Sequence, residues 1–119
     1  MKKILKKWLG YQFSSGGITG EDYKLFEKEI LSYLKRNLRK EGIEFINPAR
    51  NHYCCSCIVQ NTNTQKYAYF SIPDVRFSQD EWAYKVLYRD CAHEKDWAGG
   101  GNRYCAIEDL IDNLIKITK

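Results

Sequence analysis

The residues able to do chemistry fall in two groups. His52-Tyr53-Cys54-Cys55-Ser56-Cys57 is one, and Cys91, His93 and Cys105 make the other. Thiolate sulfur and imidazole nitrogen are the donors of tetrahedral zinc, so a site drawing two ligands from each group is the first chemistry to weigh. Compact zinc sites put paired cysteines on a turn, about two to four residues apart. Here the first group falls on an expected strand, where neighbours point to opposite faces: Cys55 and Cys57 share a face and Cys54 does not. The expected role of these thiols is that of small apolar core residues. A small zinc-binding module, with His93, Cys91 and Cys57 meeting across strands, is the alternative. No metal ligand or cofactor is assigned.

Catalysis has a thin cast. Pro73-Asp74 after an apolar strand is half of a restriction-type nuclease site, whose other half needs Glu or Asp, one spacer and Lys on a second strand. Glu94 and Lys95 are adjacent, and Glu81 lies four residues before Lys85, so that half is missing. Arg89, Asp90, His93, Glu94, Lys95 and Asp96 crowd a strand end and its loop, and a Cys91 or Cys105 nucleophile with His93 as base is conceivable chemistry. No spacing fixes a geometry. The chain is expected not to be an enzyme.

The segment Asp96-Trp-Ala-Gly-Gly-Gly-Asn-Arg-Tyr-Cys105 combines three glycines with two large aromatics. A phosphate cradle needs glycines running straight into a helix. Asn102 to Cys105 intervene, so the glycines suit instead an irregular turn that holds Trp97 and Tyr104 in defined positions. Trp, Tyr and Arg dominate binding hot spots. Trp97, Tyr104, Arg103 and Arg89, with Asp96 and Asn102, are therefore the expected partner-binding residues: the aromatics as desolvated anchors, the arginines as bidentate partners. A nucleic-acid-binding sheet face built from Tyr67, Tyr69 and Lys66 is a second alternative, since stacked aromatics on a sheet bind single strands. No RNP-type strand signature accompanies it.

These residues need elements to hold them. Ile4, Leu5, Trp8 and Leu9 alternate with lysines at helical spacing, giving a short amphipathic helix over 1–10 that Gly10 stops. Ser14 to Gly17 is a loop, and Thr19 with Asp22 offers an N-cap. Tyr23, Phe26, Ile30, Leu34 and Leu38 predict a long helix over 19–41, ended by Gly42 as C′ residue. Its basic last turns, Lys35 to Lys40, complement the helix dipole. The period then becomes two. Antiparallel strands are expected within 43–92: Ile43 to Ile46 closed by Asn47-Pro48, His52 to Gln60, Gln65 to Ile72 after an Asn61-to-Thr64 turn, and Lys85 to Ala92. Ser78 and Glu81 read as a capping box before a helical turn. A glycine-rich loop over 93–105 precedes a C-terminal helix over 106–118, carried by Ile107, Leu110, Ile111, Leu114 and Ile115. The fold class is α+β: an antiparallel sheet of about four strands, with the long N-terminal-half helix and the C-terminal helix packed on one face.

Bulk composition agrees. The chain has 119 residues, 44% hydrophobic and 29% charged, which suits a single domain over 1–119. Its 9 Tyr and 3 Trp exceed what a small core requires. A net charge of +4 is modest for a dedicated nucleic-acid binder. Lysines interrupt the apolar residues of the N-terminus, so no signal-peptide h-region forms and a cytoplasmic protein is expected, its 5 cysteines reduced.

Val86-Leu-Tyr-Arg-Asp-Cys-Ala-His-Glu-Lys-Asp-Trp-Ala-Gly-Gly-Gly-Asn-Arg-Tyr104, with Glu108-Asp109-Leu110 and the preceding Tyr69-to-Arg76 segment, resembles uncharacterised small proteins of phages and mobile elements of gut and Gram-positive bacteria. In that group a strand leads into a Lys-Asp-aromatic-x-Gly-Gly-x-Asn segment and a closing helix. Cys91 and Cys105 depart from it, standing where Thr or Ser is expected. The resemblance implies a stoichiometric inhibitor in a bacterial host cell, anti-CRISPR-like. Its partner would be a larger bacterial protein, such as a CRISPR-associated nuclease or another defence complex.

Overall fold

The long helix organises everything else. In the computed structural model, which describes residues 3–9, 18, 20–51, 53–76, 79–98 and 100–119, helix α2 runs Gly20–Arg39. Phe26, Ile30, Tyr33, Leu34 and Leu38 form its buried stripe, as the helical period requires. Gly42 ends it at φ 77, with its N–H bonded to the Arg39 carbonyl at 3.1 Å. A Cβ there would also sit 2.8 Å from the Asn63 side chain, so both conformation and space demand glycine. Helix α1, Lys3–Leu9, docks through Leu5 and Trp8. Gly10, the 14–17 loop, Thr19, His52, Ser78 and Gly99 lie outside the described residues.

Strands β1 (Ile43–Asn51), β2 (Cys54–Asn61), β3 (Tyr67–Ile72), β4 (Val86–Cys91) and β5 (Arg103–Cys105) form one sheet in the order β1-β2-β3-β4-β5. Every neighbouring pair is antiparallel. Helix α3, Gln79–Tyr84, bridges β3 and β4. A 3-10 turn, Ile107–Asp109, leads into α4, Leu110–Ile117. The α+β architecture is as expected, with two refinements. Asn47-Pro48 does not close the first strand, which bulges between Phe45 and Asn47 and runs on to Asn51. Proline is tolerated because β1 is an edge strand. The segment 103–105, expected as loop, pairs with β4 and makes a fifth strand.

One face of the sheet carries Cys55, Cys57, Val59, Ala68, Phe70, Ile72 and Val86, all buried against the helices. Phe26 is the centre of this core: Trp8 and Trp82 each meet its ring edge-on, with centroids 5.2 Å away. No helix among the described residues is long and apolar enough to cross a membrane.

Candidate functional site

The opposite face follows from the strand period. Its rows are Asn47 on β1, Ser56 and Ile58 on β2, Tyr69 and Ser71 on β3, Leu87 and Arg89 on β4 and Tyr104 on β5. The register sets Asn47 beside Ile58, Ile58 beside Tyr69, Tyr69 beside Arg89 and Leu87 beside Tyr104. Among the described residues no helix packs here, yet Ile58 is 0% exposed and Arg89 2%. The loop between β4 and β5 lies over this face, touching Asn47, Tyr69 and Arg89.

That loop crosses the sheet like a strap. The Asp96 carboxylate accepts the Ala92 N–H at 2.8 Å, and the His93 Nδ1 accepts the Lys95 N–H at 3.1 Å, which turns the chain back over β4. The Asn47 side-chain amide donates to the Glu94 carbonyl at 2.9 Å, so the strap reaches the far edge strand. The Trp97 ring meets the Tyr69 ring edge-on at 5.8 Å. Gly100 returns the chain at φ 81, lying so close that a Cβ would be 2.7 Å from the Asp90 carbonyl oxygen.

Arg89 is the floor of the arrangement. Its guanidinium lies 4.6 Å from the Tyr69 ring centroid, and Nη2 donates to the Asp96 carbonyl at 3.3 Å. Nη1 is buried with no hydrogen-bond partner among the described residues. Arg89, expected as a bidentate partner, is buried and not exposed, its guanidinium held between the Tyr69 ring and the Asp96 carbonyl.

The other expected residues separate cleanly. Trp97 stays 39% exposed although it packs on Tyr69, and Tyr104 is 61% exposed on the same sheet face. One strand, β4, lies between Tyr69 and Tyr104, and the register offsets them by two residues, so their backbones stand roughly 12 Å apart. Asn102 and Arg103 are exposed; the register sets Arg103 opposite Tyr88, on the other face from Tyr104, and it forms a long ion pair to Asp90 at 3.5 Å. Asp96 is committed to the turn through Ala92. The stacking platform of the nucleic-acid alternative is obstructed, because Arg89 and Trp97 already occupy the surroundings of Tyr69. Tyr67 is half-buried, and the Lys66 ammonium donates to the Lys119 carbonyl at 2.6 Å.

The sulfur groups do not converge. Cys57 lies on the helix-covered face and Cys91, opposite Tyr67, on the strapped one, so the His93–Cys91–Cys57 approach is blocked by the sheet itself. No cluster of three or more His, Cys, Asp or Glu able to hold a metal occurs among the described residues. Burial pushes the Cys55 and Cys57 thiols up to about 12, and those of Cys91 and Cys105 up to about 11. Burial also raises Cys54. Such groups stay protonated at neutral pH and are poor nucleophiles.

Sequence reasoning passed over two residues that build the site, Asn47 and Ile58; it did single out the glycines, and Gly100 takes the positive φ expected of them. Ile58 carried a signal, being the one large aliphatic residue in the row it shares with Cys54, Ser56 and Gln60. An apolar residue at that place in the alternation implies a cover.

No protein-family model matches this chain, and no curated protein or solved structure matches it significantly.

Proposed function

We propose that this chain is a binding protein, acting mole for mole on a larger bacterial protein rather than turning over a substrate. The observation that carries the reading is the pair Trp97 and Tyr104, the two large aromatics exposed on the strapped face. Large aromatics left exposed on one sheet face are what a protein interface encloses. Trp97 rests edge-on against Tyr69 while the rest of its ring stays open to a partner. The protonated thiols favour binding over thiol chemistry.

The resemblance of Val86 to Tyr104 to small phage proteins directs the choice of target toward a defence complex such as a CRISPR-associated nuclease, in the cytoplasm of a bacterial host. Blocking would be steric. The test titrates purified protein into such a complex and follows its nuclease activity. Inhibition that saturates at one equivalent, and that Trp97→Ala and Tyr104→Ala each weaken without loss of helical circular dichroism, supports the reading. Inhibition at sub-stoichiometric amounts, or undiminished binding by both well-folded variants, overturns it.

A further inference from the structure

We propose that Arg89 is a carboxylate-binding residue beneath the strap, and that the partner's contribution to this face is an acidic side chain seated between Trp97 and Tyr104. The inference rests on the docking role of this face and adds the chemistry of what docks there. A guanidinium presents five N–H donors in a planar fork, matched to two carboxylate oxygens. At Arg89 that fork is largely unused. It has one long bond, to the Asp96 carbonyl at 3.3 Å, a ring beneath it, and an Nη1 group without an acceptor. Burying a charge without a counter-ion is costly, and a native core retains such a group only where something compensates for it. The Tyr69 ring does so in part, being a π face and not an anion.

The strap is built to yield. Residues 92–95, 97–98 and 100–102 are exposed, and Asp96 is only half-buried. Side-chain bonds from Asn47 to Glu94 and from Arg89 to Asp96 join it to the sheet. Its one aromatic anchor, Trp97, touches Tyr69 by an edge. Segments with few buried contacts open at low free-energy cost. When the strap shifts, a carboxylate takes the place of the Asp96 carbonyl and engages Nη1 and Nη2 together. The exchange substitutes a charge-assisted, two-point contact for one long neutral bond. Trp97 and Tyr104 then flank the bound anion.

The test uses the full chain, with sodium acetate as probe and sodium chloride at equal ionic strength as control. Tryptophan emission is the readout, since Trp8 and Trp82 are sealed in the core while Trp97 lies beside the site. The expected result is a saturable, acetate-specific shift that Trp97→Phe removes. Arg89→Lys, which keeps the charge and loses the fork, weakens acetate by about tenfold or more. Arg89→Met abolishes the response while circular dichroism is retained. A sodium phosphate arm distinguishes carboxylate from general anion binding: equal or tighter phosphate binding overturns the carboxylate assignment. An absent acetate response in folded protein, or a response that survives Arg89→Met, overturns the site. If Arg89→Met fails to fold, Arg89→Lys decides alone, and undiminished acetate binding by it refutes the proposal. Target inhibition that still depends on Trp97, in a protein blind to acetate, leaves the docking face standing and removes the carboxylate site only.

Discussion

Arg89 lies with its guanidinium 4.6 Å from the centre of the Tyr69 ring, and the same ring receives the edge of Trp97 at 5.8 Å. One tyrosine thus supports both the buried charge and the exposed anchor. Tyr69→Ala should destabilise the protein by about 2–4 kcal/mol, because Arg89 stays buried with its platform removed. Tyr69→Phe keeps the ring and should cost less than about 1 kcal/mol. Urea denaturation of the two variants measures the difference; equal losses would place the effect in the hydroxyl instead.

Gly100 takes the strap past β4 at φ 81, where an added Cβ would lie 2.7 Å from the Asp90 carbonyl oxygen. Gly100→Ala should therefore cost about 1–3 kcal/mol and dislodge the strap. Gly101, whose Cβ position faces open space, is the control, and Gly101→Ala should be near neutral. Thermal unfolding with Trp97 emission tests both. A silent Gly100→Ala would mean the strap rides higher than its contacts imply.

Trp8 and Trp82 each meet the Phe26 ring edge-on at 5.2 Å, in the part of the core that joins α1, α2 and α3. Phe26→Ala should cost about 3–5 kcal/mol, the lost burial plus the cavity two rigid indoles cannot fill. Phe26→Leu should recover more than half of it. Chemical denaturation gives both values.

Stability should fall in alkali. Burial raises the folded thiols of Cys55 and Cys57 from 9.0 to about 12, and those of Cys91 and Cys105 to about 11. Above pH 9 the unfolded chain gives up these protons while the folded chain keeps them, so rising pH favours unfolding until the folded values are reached. The melting temperature should be flat from pH 7 to 8 and drop between about pH 9 and 12. Cys55→Ala/Cys57→Ala should flatten part of that drop. Iodoacetamide should modify these two thiols more slowly than a free cysteine at pH 8.

How much of this was legible beforehand depends on the range of the interaction. The stripe from Phe26 to Leu38, the Gly42 cap and the alternation of Ala68, Phe70 and Ile72 are set by neighbours within a few residues, so periodicity alone located them. Pro48 misled because a proline ends a central strand but not an edge strand, and edge position is a property of the whole sheet.

At the site the division is sharper. The sequence by itself determined that Trp97, Tyr104 and Arg103 stand around a glycine turn after a strand, and that Arg89 and Tyr69 lie on alternating faces of theirs. Only the tertiary structure decided that the turn lies down across the sheet, burying Arg89 while Trp97 and Tyr104 remain exposed. The reason is distance along the chain: Asn47 holds the Glu94 carbonyl from forty-seven residues away, and no local pattern encodes a bond of that span.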